Sequence, residues 1–178
     1  CFAMDKGRSR CTFDEYTHGD IIMIHHHFMN EAFTEAFSGM RANEGGPFGA
    51  IVVANTTIIG RGHNMVTKHH DPTAHAEIVA IRNACAEVQS FHLDDAVIYT
   101  TCEPCPMCLA AIYWARIKTV YYYYTKADAA EIGFSDKFIY EEIAKAKGEH
   151  SIKIEKIDLT LQQDLFGEWR KKEDRTQY

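Results

Sequence analysis

The chain has 178 residues, 46% of them hydrophobic and 25% charged, with a formal net charge of −6. That length suits one domain with a proper core, no apolar run approaches the roughly 18 residues of a membrane span, and no N-terminal stretch reads as a secretory signal. Nucleic-acid binders draw most of their affinity from phosphate neutralisation; here the one basic cluster, Arg170-Lys171-Lys172, is offset by Glu173 and Asp174, which points to a small-molecule substrate instead. Six cysteines, two of them in one C-x-x-C, fit a reduced cytoplasmic enzyme rather than a disulfide framework.

Residues 1–24 read as a poorly ordered leader, the first twenty being polar and irregular. His25-His26-His27 resembles a metal site, but three consecutive residues of a regular element do not all face one ion. From Phe28 the apolar positions Phe33, Phe37 and Met40 form a helical stripe that stops before Gly45-Gly46-Pro47. Phe48 to Ala54 is an apolar run, Asn55-Thr56-Thr57 can turn, and Ile58-Ile59 starts a return strand, which together predict a hairpin. A loop is expected over 63–74, then a helix with Ile78, Ile81, Cys85 and Val88 on one face. Ala96 to Thr100 reads as a buried strand, Pro104 to Cys108 as the start of another helix, and Lys118 to Tyr124 as a further strand. The four tyrosines 121–124 fall on both faces of that strand and read as packing. This order predicts an α/β protein, a three-layer α/β/α sandwich around a mixed sheet.

Two short motifs carry the chemistry. His75-Ala76-Glu77 is followed, thirty residues after His75, by Pro104-Cys105-Pro106-Met107-Cys108. Cys105 and Cys108, at i and i+3, share one helix face. One imidazole and two thiolates are three zinc ligands, which leaves a fourth position for water whose ionisation the metal brings near neutrality. Glu77 is close enough to exchange protons with such a water without being a ligand. The alternative is a closed structural site with Cys102 as fourth ligand, which would leave Glu77 and the prolines unexplained.

These motifs resemble the cytidine deaminase-like zinc superfamily. Longer stretches are similar to the bacterial-type guanine deaminases: Gly45 to Ala50, Asp71 to Glu77, Cys102 to Arg116, Asp128 to Asp136, and the final Tyr178. The resemblance implies a zinc-dependent deaminase domain over 25–178 that hydrolyses guanine to xanthine and ammonia in purine metabolism. It implies one zinc held by His75, Cys105 and Cys108, with Glu77 as proton shuttle. It places Asn64, Phe48, Ala76, Trp114 and Phe134 against the substrate, and gives Asp136 the exocyclic amine. It also implies a homodimer in which the segment of about 150–178 crosses to the partner, so that Tyr178 closes the partner's pocket. One departure stands out: the family's Gly-Phe-Asp-Asp reads Gly133-Phe134-Ser135-Asp136, which leaves any supporting role of the first acid without a residue. The competing readings are a guanosine or ammeline-type aminohydrolase, a tRNA adenosine deaminase, and a binding module in which zinc only supports the fold.

Overall fold

The computed structural model describes residues 17–159 and 163–177. The described residues form two compact units that divide between Ser135 and Asp136.

The first unit opens with helix α1, His18–Arg41. Thr17 caps it: the Thr17 hydroxyl accepts the Asp20 amide N–H, and the Asp20 carboxylate accepts the Thr17 amide N–H. Residues 18–24 are therefore its first two turns rather than leader, and the rest of the expected leader, 1–16, lies outside the described residues. A four-stranded sheet follows, built from β1 (Gly49–Ala54), β2 (Thr57–His63), β3 (Ala96–Cys102) and β4 (Thr119–Tyr124) in the order β2-β1-β3-β4. The β1–β2 and β1–β3 pairs are antiparallel and β3–β4 is parallel, so the sheet is mixed. Between strands run α2 (Val66–His69), α3 (Ala76–Val88) and α4 (Pro106–Trp114), and α5 (Lys126–Glu131) comes after β4. The short α2 sits inside the stretch expected to be all loop.

Strand alternation splits the core between the two faces. Ala50 and Val52 of β1 pack with Ala76, Ala80, Ala84 and Ile112 of α3 and α4. Ile51 and Val53 pack with Phe28 and Ala32 of α1, and with Tyr99. Helices cover both faces, which is the expected three-layer arrangement. His25 belongs to this packing rather than to a metal: its Nδ1 lies 2.8 Å from the Tyr99 hydroxyl, and its ring lies 4.4 Å from that of Tyr121.

The helix faces differ from the apolar stripes in the sequence. On α1 the buried positions after Phe28 are Ala32, Ala36 and Gly39, whereas Phe37 and Met40 are exposed. On α3 they are Ala76, Glu77, Ala80, Ile81 and Ala84, and Val88 is exposed. The cause is close approach of helix and sheet. A Cβ on Gly49 would stand 2.2 Å from the Ala32 carbonyl oxygen and 2.4 Å from the Ala36 nitrogen, and a Cβ on Gly60 would stand 2.3 Å from the Ala80 carbonyl oxygen. Only small residues fit at such contacts. Phe33, Phe37 and Met40 are displaced to the flank, where with Phe48, Cys102 and Ile132 they line an apolar cavity of about 400 Å³.

The second unit holds α6 (Lys137–Ala144), a stretch over 153–159 with neither helix nor strand, and α7 (Leu165–Lys171), whose N-cap Asp164 accepts the Gly167 amide N–H. Among the described residues no helix is long and apolar enough to cross a membrane.

Gly49→Ala tests the close approach. Both atoms facing the added methyl are helix backbone, so relief requires α1 to move, and overpacking of this kind costs about 1–3 kcal/mol. Urea unfolding should show a loss in that range; a variant as stable as wild type would mean that α1 is not pinned at Gly49.

Candidate active site

Two helices begin on metal donors. His75 is the N-cap of α3 and Cys105 the N-cap of α4, both in extended backbone and neither side chain capping its own helix. Cys108 lies in the first turn of α4, reached through Pro106, whose missing N–H costs nothing there. His75 Nδ1 stands 3.5 Å from Cys105 Sγ and 3.5 Å from Cys108 Sγ, and all three donor atoms lie within 4.8 Å of one another.

This triangle fits zinc. Zn–S bonds of about 2.3 Å and Zn–N bonds of about 2.0 Å at a tetrahedral angle separate N and S by about 3.5 Å. The protons tell the same story. Without a cation the two sulfurs share one: the Cys108 thiol donates to Cys105, and this bond, with help from His75, holds Cys105 down at about 4. Donating that proton, together with burial, pushes Cys108 up. The His75 imidazole is raised by its bond to Cys105. A divalent cation removes the need for the shared proton and takes both sulfurs as thiolates.

Cys102 does not close the site. Its Sγ bonds the Thr125 carbonyl at 3.6 Å, and among the described residues the donor group is His75, Cys105 and Cys108 alone. Glu77 stands beside the triangle in the first turn of α3, with its Oε2 3.4 Å from Cys108 Sγ. It is buried, and burial raises its carboxyl. A charged residue in that position calls for a functional account, because acids are rarely buried unless paired.

Three of the expected substrate residues come together. Phe48 and Phe134 meet edge to face, with ring centroids 5.0 Å apart at 90°. Gly46 lies against both rings: a Cβ there would stand 3.0 Å from each. The buried Asn64 Oδ1 accepts the Gly46 N–H at 3.3 Å and the Val66 N–H at 3.2 Å. The Asn64 amide N–H donates to the Phe48 carbonyl at 2.9 Å. Two bonds tie this cluster toward the metal motifs. Met65 N–H reaches the Ala74 carbonyl at 2.9 Å, next to His75, and Gly49 N–H reaches the buried Thr101 hydroxyl at 3.1 Å, near the end of β3. Gly45-Gly46-Pro47 therefore does more than end α1, and nothing in its pattern distinguishes this role from that of a helix breaker.

Ala76 is fully buried at the start of α3. Trp114 is the last residue of α4, the helix that carries Cys108, and its side chain is exposed. Asp136 opens the second unit, part-buried at the N-cap of α6 without a side-chain capping bond. Tyr178 lies outside the described residues.

Comparison with known proteins agrees with this geometry. The cytidine and deoxycytidylate deaminase zinc-binding region matches residues 23–124. The guanine deaminase of Bacillus subtilis (strain 168) is 49% identical over 156 residues, covering 88% of this chain and all of that protein. Its crystal structure superimposes with a TM-score of 0.82, covering 86% of this chain and 98% of that one. A tRNA-specific adenosine deaminase of Agrobacterium fabrum is 45% identical over 96 residues, 54% of this chain and 62% of that protein. A donor triangle that fits zinc, a buried glutamate beside it and similarity along most of the sequence agree: the chain belongs to the zinc-binding cytidine and deoxycytidylate deaminase family and, within it, with the guanine deaminases.

Proposed function

We propose that the chain hydrolyses guanine to xanthine and ammonia, as a cytoplasmic enzyme of purine catabolism or salvage. The observation that carries this reading is Glu77, a buried carboxyl beside three donors spaced for zinc. Zinc, held by His75, Cys105 and Cys108, supplies Lewis-acid charge and brings the ionisation of water near neutrality. Glu77 takes the proton of the attacking water and delivers it to the purine ring as oxygen adds at C2. Asp136 accepts a hydrogen bond from the exocyclic amine and then passes to it the proton that the C2 hydroxyl gives up on becoming the carbonyl, so that the C2–N bond breaks and ammonia leaves. Phe48 and Phe134 supply flat apolar walls for the purine, and the buried Asn64 offers its amide to the ring's carbonyl oxygen. Similarity to the guanine deaminase extends over 88% of this chain, whereas that to the tRNA deaminase stops at about half, and the net charge of −6 suits a free base better than an anticodon loop.

The same reading includes a homodimer in which the segment of about 150–178 crosses to the partner and brings Tyr178 to its pocket. Two features support it. Among the described residues strand β4 is an edge of the sheet, and Tyr122 and Tyr123 on it are exposed. The second unit leaves Ile152, Ile154, Ile157 and Leu159 exposed between α6 and α7, with Phe166 also exposed on α7. Apolar surface of that kind is covered in an assembled protein.

Glu77→Ala should cut guanine turnover by at least about two orders of magnitude, the scale of a general acid–base group, while zinc content by atomic absorption stays at that of wild type. Full zinc with undiminished turnover would remove Glu77 from the chemistry. Asp136→Ala should lose a similar factor, and a near-normal rate would remove the second acid. Co-expressing Tyr178-deleted and Glu77→Ala subunits tests the crossing. Activity recovered from two impaired parents is the expected result, and a mixture no better than its parents would place Tyr178 in its own subunit's pocket or outside any pocket.

A further inference from the structure

Glu44 grips the chain on both sides of Asn64. Its Oε2 lies 2.6 Å from His63 Nε2 and its Oε1 accepts from Lys68 Nζ at 2.8 Å, while its backbone carbonyl accepts the Lys68 amide N–H at 3.0 Å. His63 is the last residue of β2, Asn64 follows it directly, and Lys68 belongs to α2. His63 is fixed from its far side as well: Glu35 Oε2 stands 3.6 Å from Nδ1, and a Cβ on Gly39 would stand 2.3 Å from the ring. Glu35 in turn faces Arg61, which also pairs with Glu31 at 2.7 Å. The His63 and Glu44 side chains are only 18% and 22% accessible, so their pairing is shielded more than a surface ion pair is. Lys68 first, and then His63, hold the Glu44 carboxyl below its ordinary range.

What this grip holds is the orientation of one amide. Glu44 leads directly into the glycine turn, and a Cβ on Gly45 would stand 2.2 Å from Asn64 Oδ1. Both bonds that orient Oδ1 come from backbone, Gly46 on one side and Val66 on the other, and Glu44 joins those two segments. If the segments drift apart, the amide can turn over and exchange donor for acceptor. An Asn64 turned in that way meets a purine carbonyl oxygen with its own oxygen.

We propose that Glu44, paired with His63 and Lys68, is a positioning residue that fixes the Asn64 amide as a donor to the substrate's carbonyl oxygen and thereby sets affinity rather than turnover. This rests on the role of Asn64 given above. A contact made equally in ground and transition states moves KM and leaves kcat alone.

The test is kinetic, on the zinc-loaded full chain, with Glu44→Ala, Glu44→Gln and Lys68→Met. Lys68→Met removes only the half-exposed arm and keeps the question answerable if the Glu44 variants fold poorly. KM for guanine should rise about tenfold in the Glu44 variants, the scale of one hydrogen bond lost in a pocket, and by less in Lys68→Met. In all three, kcat should stay within about threefold of wild type and zinc content should be unchanged. The competitive inhibition constant of 2-aminopurine, guanine without its carbonyl oxygen, should be the same in wild type and variants. Equal weakening of guanine and 2-aminopurine would overturn the proposal, as would unchanged KM or a joint fall of kcat and zinc content. Wild-type inactivity on guanine would overturn the substrate reading instead, whereas an active wild type with an unshifted guanine KM in the variants overturns the positioning role alone.

Discussion

The site exists because two helices start at one point with metal donors in the capping positions. An N-cap side chain ordinarily bonds back to its own first turn and satisfies one of the unpaired N–H groups there. His75 and Cys105 do not do this; they turn toward each other and toward Cys108. The N-terminal ends of α3 and α4, where the helix dipoles are positive, therefore lie where thiolate charge collects, and they favour that charge. Glu77, in the same first turn of α3, gains its depth from the same arrangement.

Helices that meet with donors 3.5 Å apart need supports that do not give. Contacts between backbones supply them. Helix α3 lies on β2 where a Cβ on Gly62 would stand 2.5 Å from the Ala76 carbonyl oxygen, one residue after the metal ligand. Helix α1 lies on β1 at Gly49, next to Phe48. Side chains can change rotamer, but contacts of backbone on backbone leave little room for adjustment. The metal donors and the aromatic pair are thus both referred to one sheet, and Phe48 packs against the same core cluster as the start of α3.

The metal set was legible because its signal is local: an i, i+3 pair of cysteines and an H-x-E triplet have few other readings. The layer order was legible from strand and helix periodicity. The inner face of α1 was not, because Ala32, Ala36 and Gly39 produce no apolar period while Phe33, Phe37 and Met40 do. The start of α1 was written as Thr17-x-x-Asp20, but the polar composition around it looked like leader. The pairing of Glu44 with His63 spans nineteen residues and depends on where β2 ends against α1, a fact of packing that no sequence window contains.

The central claim is that a zinc-deaminase centre in this chain is fitted to guanine. The most direct measurement is ammonia release from the zinc-loaded protein offered guanine, guanosine, adenine, cytosine, ammeline and an anticodon stem-loop side by side. Fast release from guanine, with xanthine as the co-product and the other amines slow, is the result this account predicts. Silence on guanine with turnover of another amine would keep the metal chemistry and contradict the pocket built from Asn64, Phe48 and Phe134.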